Sequence, residues 1–116
     1  MKEKHITLAI WKWEGKVLAG GSAEQFAAFI KREIGAEIEV GSNSAGHAYV
    51  AYGQPWYLWV DSLDNVPTLA HEVFHVTTGV LEARGMKYSS AGEEAYTYTL
   101  EYIMREALNK KGWRRP

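Results

Sequence analysis

Residues 66–82 constrain the chain most, because they hide their apolar side chains in only one regular way. At about 100° per residue, Val66, Leu69, Ala70, Val73, Val76, Thr77, Val80 and Leu81 cover one side of a helix, while His71, His75, Thr78 and Glu82 form a narrow stripe opposite. Asn65 can cap this helix, Pro67 is tolerated in its first turn, and Gly85 marks its end. The two histidines therefore face away from the core. Gly79 costs the helix about 1 kcal/mol relative to alanine. Its presence calls for a close approach, either of substrate, of a neighbouring backbone or of another helix.

The stretch His71-Glu72-Val73-Phe74-His75 carries the chemistry. Imidazoles one helical turn apart can share a metal ion, and Glu72, beside the first, can reach a water in that ion's shell. This is the HExxH arrangement of zinc hydrolases. With 4 histidines in 116 residues, a scrambled chain would contain it about once in a hundred trials, so its context has to decide. No cysteine is present, which excludes disulfides, thiolate metal sites and cysteine nucleophiles and leaves His, Asp and Glu to hold any metal.

A chain of 116 residues makes one domain. The net charge of −1 gives no sequence-wide reason to expect nucleic acid or an anionic membrane as partner. Met1 to Trp11 makes a poor signal peptide and nothing approaches a membrane span, so a cytoplasmic location is the expectation, with release by other routes left open.

In chain order, Ile6 to Trp11 reads as a first strand, with a turn at Trp13-Glu14-Gly15-Lys16 leading into Val17-Leu18 as a hairpin. Ser22 and Gln25 form a capping-box signature, after which Phe26, Phe29, Ile30 and Ile34 recur at helical spacing until Gly35. Three strands are then expected, Ala36 to Val40, Gly46 to Tyr52 and Trp56 to Val60, forming an antiparallel meander with the first strand added alongside. The motif helix follows, and then a last helix from Ala91 to about Asn109. The basic end, Lys110 to Arg115, is expected to be a frayed, solvated tail. The order reads as α+β.

A catalytic zinc site usually has three protein ligands and one open position. Glu93 and Glu94 open the last helix, where an antiparallel return would bring them back toward His75. Here the chain resembles the gluzincins, zinc metallopeptidases with HExxH on one helix and a ligand glutamate at the start of another. In that family the ligand precedes a small residue, as Glu94 precedes Ala95, and lies roughly as far beyond the second histidine. The resemblance implies Zn²⁺ held by His71, His75 and Glu94, with Glu93 the alternative. It also implies a zincin-like fold: a small twisted, mostly antiparallel sheet with a backing helix, an HExxH helix and a C-terminal glutamate helix. The likeness is greatest to minimal single-domain gluzincins and small phage-type metallopeptidases. Two departures stand out. Larger members often have an aspartate four residues after the ligand glutamate, where this chain has Tyr98, and the Tyr or His that steadies the oxyanion is matched only by Tyr88, placed by position in the loop between the helices.

The expected activity is hydrolysis of a peptide or protein substrate, with Glu72 as general base. The extended peptide would lie along an edge strand near Gly46 to Tyr52. The alternative is a zinc-stabilised binding or structural module without turnover. Oligomeric state is not legible. Glu101 and Arg105 read as an i,i+4 ion pair, with a place behind the ligands as the alternative. His47 reads as a packing or surface histidine, with lining of the cleft as the alternative. Trp56, Tyr57 and Trp59 read as core, with one face stacking on peptide as the alternative.

Overall fold

Trp56–Val60 is apolar at every position and needs cover on both faces. The computed structural model describes residues 1–90 and 92–116, in the order β1 (Lys2–Leu8), β2 (Trp13–Ala19), α1 (Ala23–Ile34), β3 (Gly46–Tyr49), β4 (Trp56–Val60), α2 (Val66–Ala83) and α3 (Glu93–Leu108). The four strands form one sheet in the order β1-β2-β4-β3. β4 takes an interior position and all five of its residues are buried. Its partners run differently: β2 lies parallel to it, β3 antiparallel, and β1 pairs antiparallel with β2. The expected meander is therefore corrected to a mixed sheet, because the chain between β2 and β4 crosses over through α1 and so brings β4 back parallel to β2. The α+β class stands.

The two faces divide the side chains by parity. Leu18, Tyr57 and Trp59 pack with Ala23, Phe26, Phe29 and Ile30 of α1. Ile6, Leu8, Trp13, Val17, Trp56, Leu58 and Val60 pack with Leu69, Val73, Val76, Val80 and Leu81 of α2 and with Tyr96, Ile103 and Ala107 of α3. α1 begins with the expected capping box, Ser22 and Gln25 each accepting from the other's backbone N–H, and ends on Gly35 at φ 70°. α2 begins at Asn65, whose side chain accepts from the Thr68 N–H, with Pro67 in its first turn.

Three local expectations are corrected. The first turn lies at residues 9–12 instead of 13–16, so Gly15 sits inside β2. A β-carbon there would come within 2.0 Å of the Trp56 ring and 2.4 Å of the Trp56 carbonyl oxygen, so this glycine makes room for an indole and no turn. Residues 36–40 form no ladder. Ala36, Ile38 and Val40 pack against the α1 cluster while Glu37 and Glu39 stay exposed, so the period of two appears without strand pairing. Of the last helix, Ala91 lies outside the described residues, and the helix runs from Glu93.

The basic end is docked. Trp113 packs against the α2–α3 side of the core and donates its indole N–H to the Ala107 carbonyl at 3.2 Å. Arg114 exchanges two backbone hydrogen bonds with Glu3, at 2.8 and 3.0 Å, and its guanidinium reaches the Glu3 carboxylate at 3.3 Å. The buried Lys4 ammonium caps α3 by donating to the Glu106 and Asn109 carbonyls. On the other face Lys16 lies between Glu33, at 2.7 Å, and Glu3, at 3.4 Å. Burial works against its charge, but the two carboxylates outweigh it and raise its pKa above the usual lysine value.

Two outcomes follow for stability. Gly15→Ala will cost about 3 kcal/mol or more, since neither the Trp56 ring nor its backbone can retreat, and urea titration of the purified variant measures it. Trp113→Ala will cost about 1–3 kcal/mol in the same assay, whereas a frayed tail would leave the midpoint unchanged.

Candidate metal centre

α2 presents its motif as the wheel requires. Leu69, Val73, Val76 and Val80 are fully buried, and His71 and His75 are exposed. The two Nε2 atoms lie 3.1 Å apart, with the rings nearly perpendicular at 77°. Two nitrogens bound to one tetrahedral ion at about 2.0–2.1 Å would stand about 3.3 Å apart, so the pair already has nearly the required spacing. Glu72 differs from its neighbours in being only 7% exposed. Its carboxylate and the two imidazoles each offer a ligand atom, and all three atoms lie within 4.8 Å of one another. Imidazole nitrogens without sulfur are donors that a divalent transition metal accepts, and the carboxylate stands close enough either to ligate such an ion or to reach a water on it.

The floor of the site is built by β3. α2 lies along this edge strand, with Gly46 beneath Thr68 and Glu72 and with Val50 against Gly79. The Gly79 question is thereby answered: the approaching group is the Val50 side chain, at 3.0–3.1 Å from where a β-carbon would be. Beside Glu72 and His71 an open cavity of about 380 Å³ is lined by Ser44, Ala45, Gly46, Pro67 and Thr68. The sequence pointed to the motif but gave Gly46 only as the first residue of the strand Gly46 to Tyr52; its place under Glu72 is revealed by the helix–strand contact alone.

Glu94 is not among the residues whose ligand atoms converge. It is exposed in the first turn of α3, next to the equally exposed Glu93, where both charges are favourable to the helix dipole. The start of α3 is held near the far end of α2. The Tyr96 hydroxyl donates to the Met86 carbonyl at 3.1 Å, and burial, helped by the Glu82 charge, raises the Tyr96 pKa. Glu82 is seven residues past His75, about 10 Å along the helix. Tyr88 rests edge-on against Tyr96 at 5.0 Å with most of its surface exposed, so it belongs to that same end.

The remaining residues take the plainer of their two roles. His47 lies on the opposite face of the sheet from α2, its ring 6.0 Å from that of Phe26, and so does not line the cleft. Trp56, Tyr57 and Trp59 are buried, leaving no face to stack on a peptide. Glu101 and Arg105 form their i,i+4 pair, on the side of α3 that faces the β1–β2 turn.

No family model, curated protein or solved structure matches the chain. The centre is therefore described from its own geometry. Among the described residues no helix is long and apolar enough to cross a membrane.

His75→Ala removes one of two nitrogens already in place and will weaken zinc binding at least about a hundredfold by competition with a chromophoric chelator. Zinc will raise the melting temperature of the parent and leave that of the variant where it was.

Proposed function

We propose that the chain is a zinc-dependent metallopeptidase that hydrolyses peptide bonds with Glu72 as general base. The observation that carries this reading is the outward pair of His71 and His75 nitrogens, 3.1 Å apart, with the buried Glu72 carboxylate beside them. His71 and His75 would hold the ion, with Glu94 the third donor offered by the resemblance. Bound there, zinc supplies Lewis acidity, polarising the scissile carbonyl and making water acidic enough to attack at neutral pH. Glu72 accepts the proton from the attacking water and returns it to the leaving amine. Its burial keeps the carboxylate in one place, so little reorganisation accompanies the transfer.

The substrate would be an extended peptide added to β3, Gly46–Tyr49, which is the outer strand of the sheet on the side of α2. The exposed Phe74 on α2 would supply an apolar contact near the histidines. Tyr88 keeps only a positional claim to the oxyanion, as an exposed phenol in the loop after α2.

A second reading is favoured by the position of Glu94 outside the converging set: a zinc-stabilised binding or structural module without turnover. Zinc titration of Glu94→Ala separates the two ligand sets. Weakened binding keeps the three-ligand hydrolase centre, and unchanged binding favours the module.

The test of the enzyme is Glu72→Gln, which preserves size and removes the base. The variant will bind one zinc and fold like the parent, but cleave a peptide library at least about 10²-fold more slowly. Equal cleavage by both proteins removes Glu72 from the reaction, and joint loss of zinc and cleavage makes its role structural.

A further inference from the structure

Glu72 is the one buried member of a trio whose histidines are exposed, and something must hold its carboxylate in that place. The contact beneath it is Gly46. A β-carbon on Gly46 would lie 2.9 Å from Glu72 Cγ and 3.0 Å from Glu72 Oε2, and also 2.9 Å from Thr68 Cγ2. All three are closer than a carbon in van der Waals contact. The Glu72 side chain therefore lies directly over an α-carbon that carries only hydrogens.

Neither element can back away. Gly46 is paired with Val60 across the β3–β4 ladder, and the Asp61 N–H donates to the neighbouring Ala45 carbonyl at 2.8 Å. α2 is pinned at its start by the Asn65 cap and along its length by the fully buried Leu69 and Val73. A side chain at 46 would thus be accommodated by Glu72, whose free direction is the exposed side, where His71 and His75 stand within 4.8 Å. There a carboxylate becomes a ligand and ceases to be a base.

We infer that Gly46 is a positioning residue that keeps the Glu72 carboxylate beside, and not on, an ion held by His71 and His75. The inference rests on the metallopeptidase reading for its catalytic consequence; the seat itself is a matter of packing. Gly46 touches no reacting atom and acts through Glu72 alone.

The experiment uses Gly46→Ala with cobalt(II) as the probe ion, together with thermal unfolding of the metal-free chain. In the cobalt-loaded variant the visible absorption bands will shift from those of the parent as a carboxylate joins the ion. The shift will vanish when Glu72→Ala is added, a response that a purely structural glycine would not give. On peptide substrate kcat will fall about tenfold or more with KM within about twofold, as expected when a catalytic group is displaced and the binding surface is kept. In the metal-free chain the melting-temperature loss caused by Gly46→Ala will shrink by at least half in a Thr68→Ser, Glu72→Ala background, where the close atoms are gone.

An equal loss in both backgrounds overturns the inference, and so does an unshifted cobalt spectrum. If Gly46→Ala fails to fold alone, folding in the relieved background supports the seat and failure there overturns it. A parent that binds cobalt and shows both effects yet cleaves no peptide sinks the peptidase reading and leaves the positioning role intact. A parent that binds no cobalt sinks the metal centre and the inference together.

Discussion

The close approach of α2 to the edge strand governs this structure, and two glycines on opposite partners permit it. Gly46 on the strand lies under Thr68 and Glu72, and Gly79 on the helix lies over Val50. A β-carbon at either place would meet side-chain atoms at about 3 Å. Adding one would force the helix outward or displace what lies between. With the helix this near, its apolar stripe reaches Leu58 and Val60 of the sheet while the opposite stripe, with His71 and His75, remains in solvent. Glu72 falls at the boundary between the two and is covered by the strand. Burial of the carboxylate and exposure of the imidazoles are thus one consequence of a single helix–strand distance.

The helices were legible because their signals are local. The Ser22 and Gln25 box, Gly35, the Asn65 cap and the period of α2 each depend on residues within a turn of one another, and each is found as read. Sheet order was not legible, since it depends on whether the chain leaving α1 returns beside β2 or beyond it, a long-range choice that no local signal records. Gly15 illustrates the same limit. A glycine between Glu14 and Lys16 has the composition of a turn, but the residue that requires it, Trp56, is 41 positions away. The docked tail was hidden for a similar reason: a run of lysines and arginines reads as solvated, and the residues that hold it down, Glu3 and Ala107, lie at one end of the chain and inside α3.

At the candidate centre the histidine pair was legible for the reason that the helices were, since i,i+4 spacing dictates it. The third ligand was a question of how two helices meet. Reading α3 as an antiparallel return fixes direction but not how far along α2 it begins, and the Tyr96 hydroxyl on the Met86 carbonyl ties its first turns to the chain just beyond α2. Glu94, two residues before Tyr96, lies outside the set of ligand atoms that converge at His71 and His75. Tyr88, held against Tyr96, lies at that same end of α3.

Burial of Glu72 also bears on the proposed ion. A carboxylate removed from water loses several kcal/mol of hydration unless a partner restores it. Every Lys and Arg ion pair among the described residues involves another acid: Glu3, Glu33, Glu37 or Glu101. The groups nearest Glu72 that can carry or bind positive charge are His71 and His75, whose Nε2 atoms stand near the spacing of a shared ion. An ion there would attract the carboxylate across a few ångströms. The same proximity that offsets the burial would also draw Glu72 into the coordination shell. Attraction alone cannot keep a base at the right distance, so the contact with Gly46, which holds the side chain from below, matters as much as the charges above it.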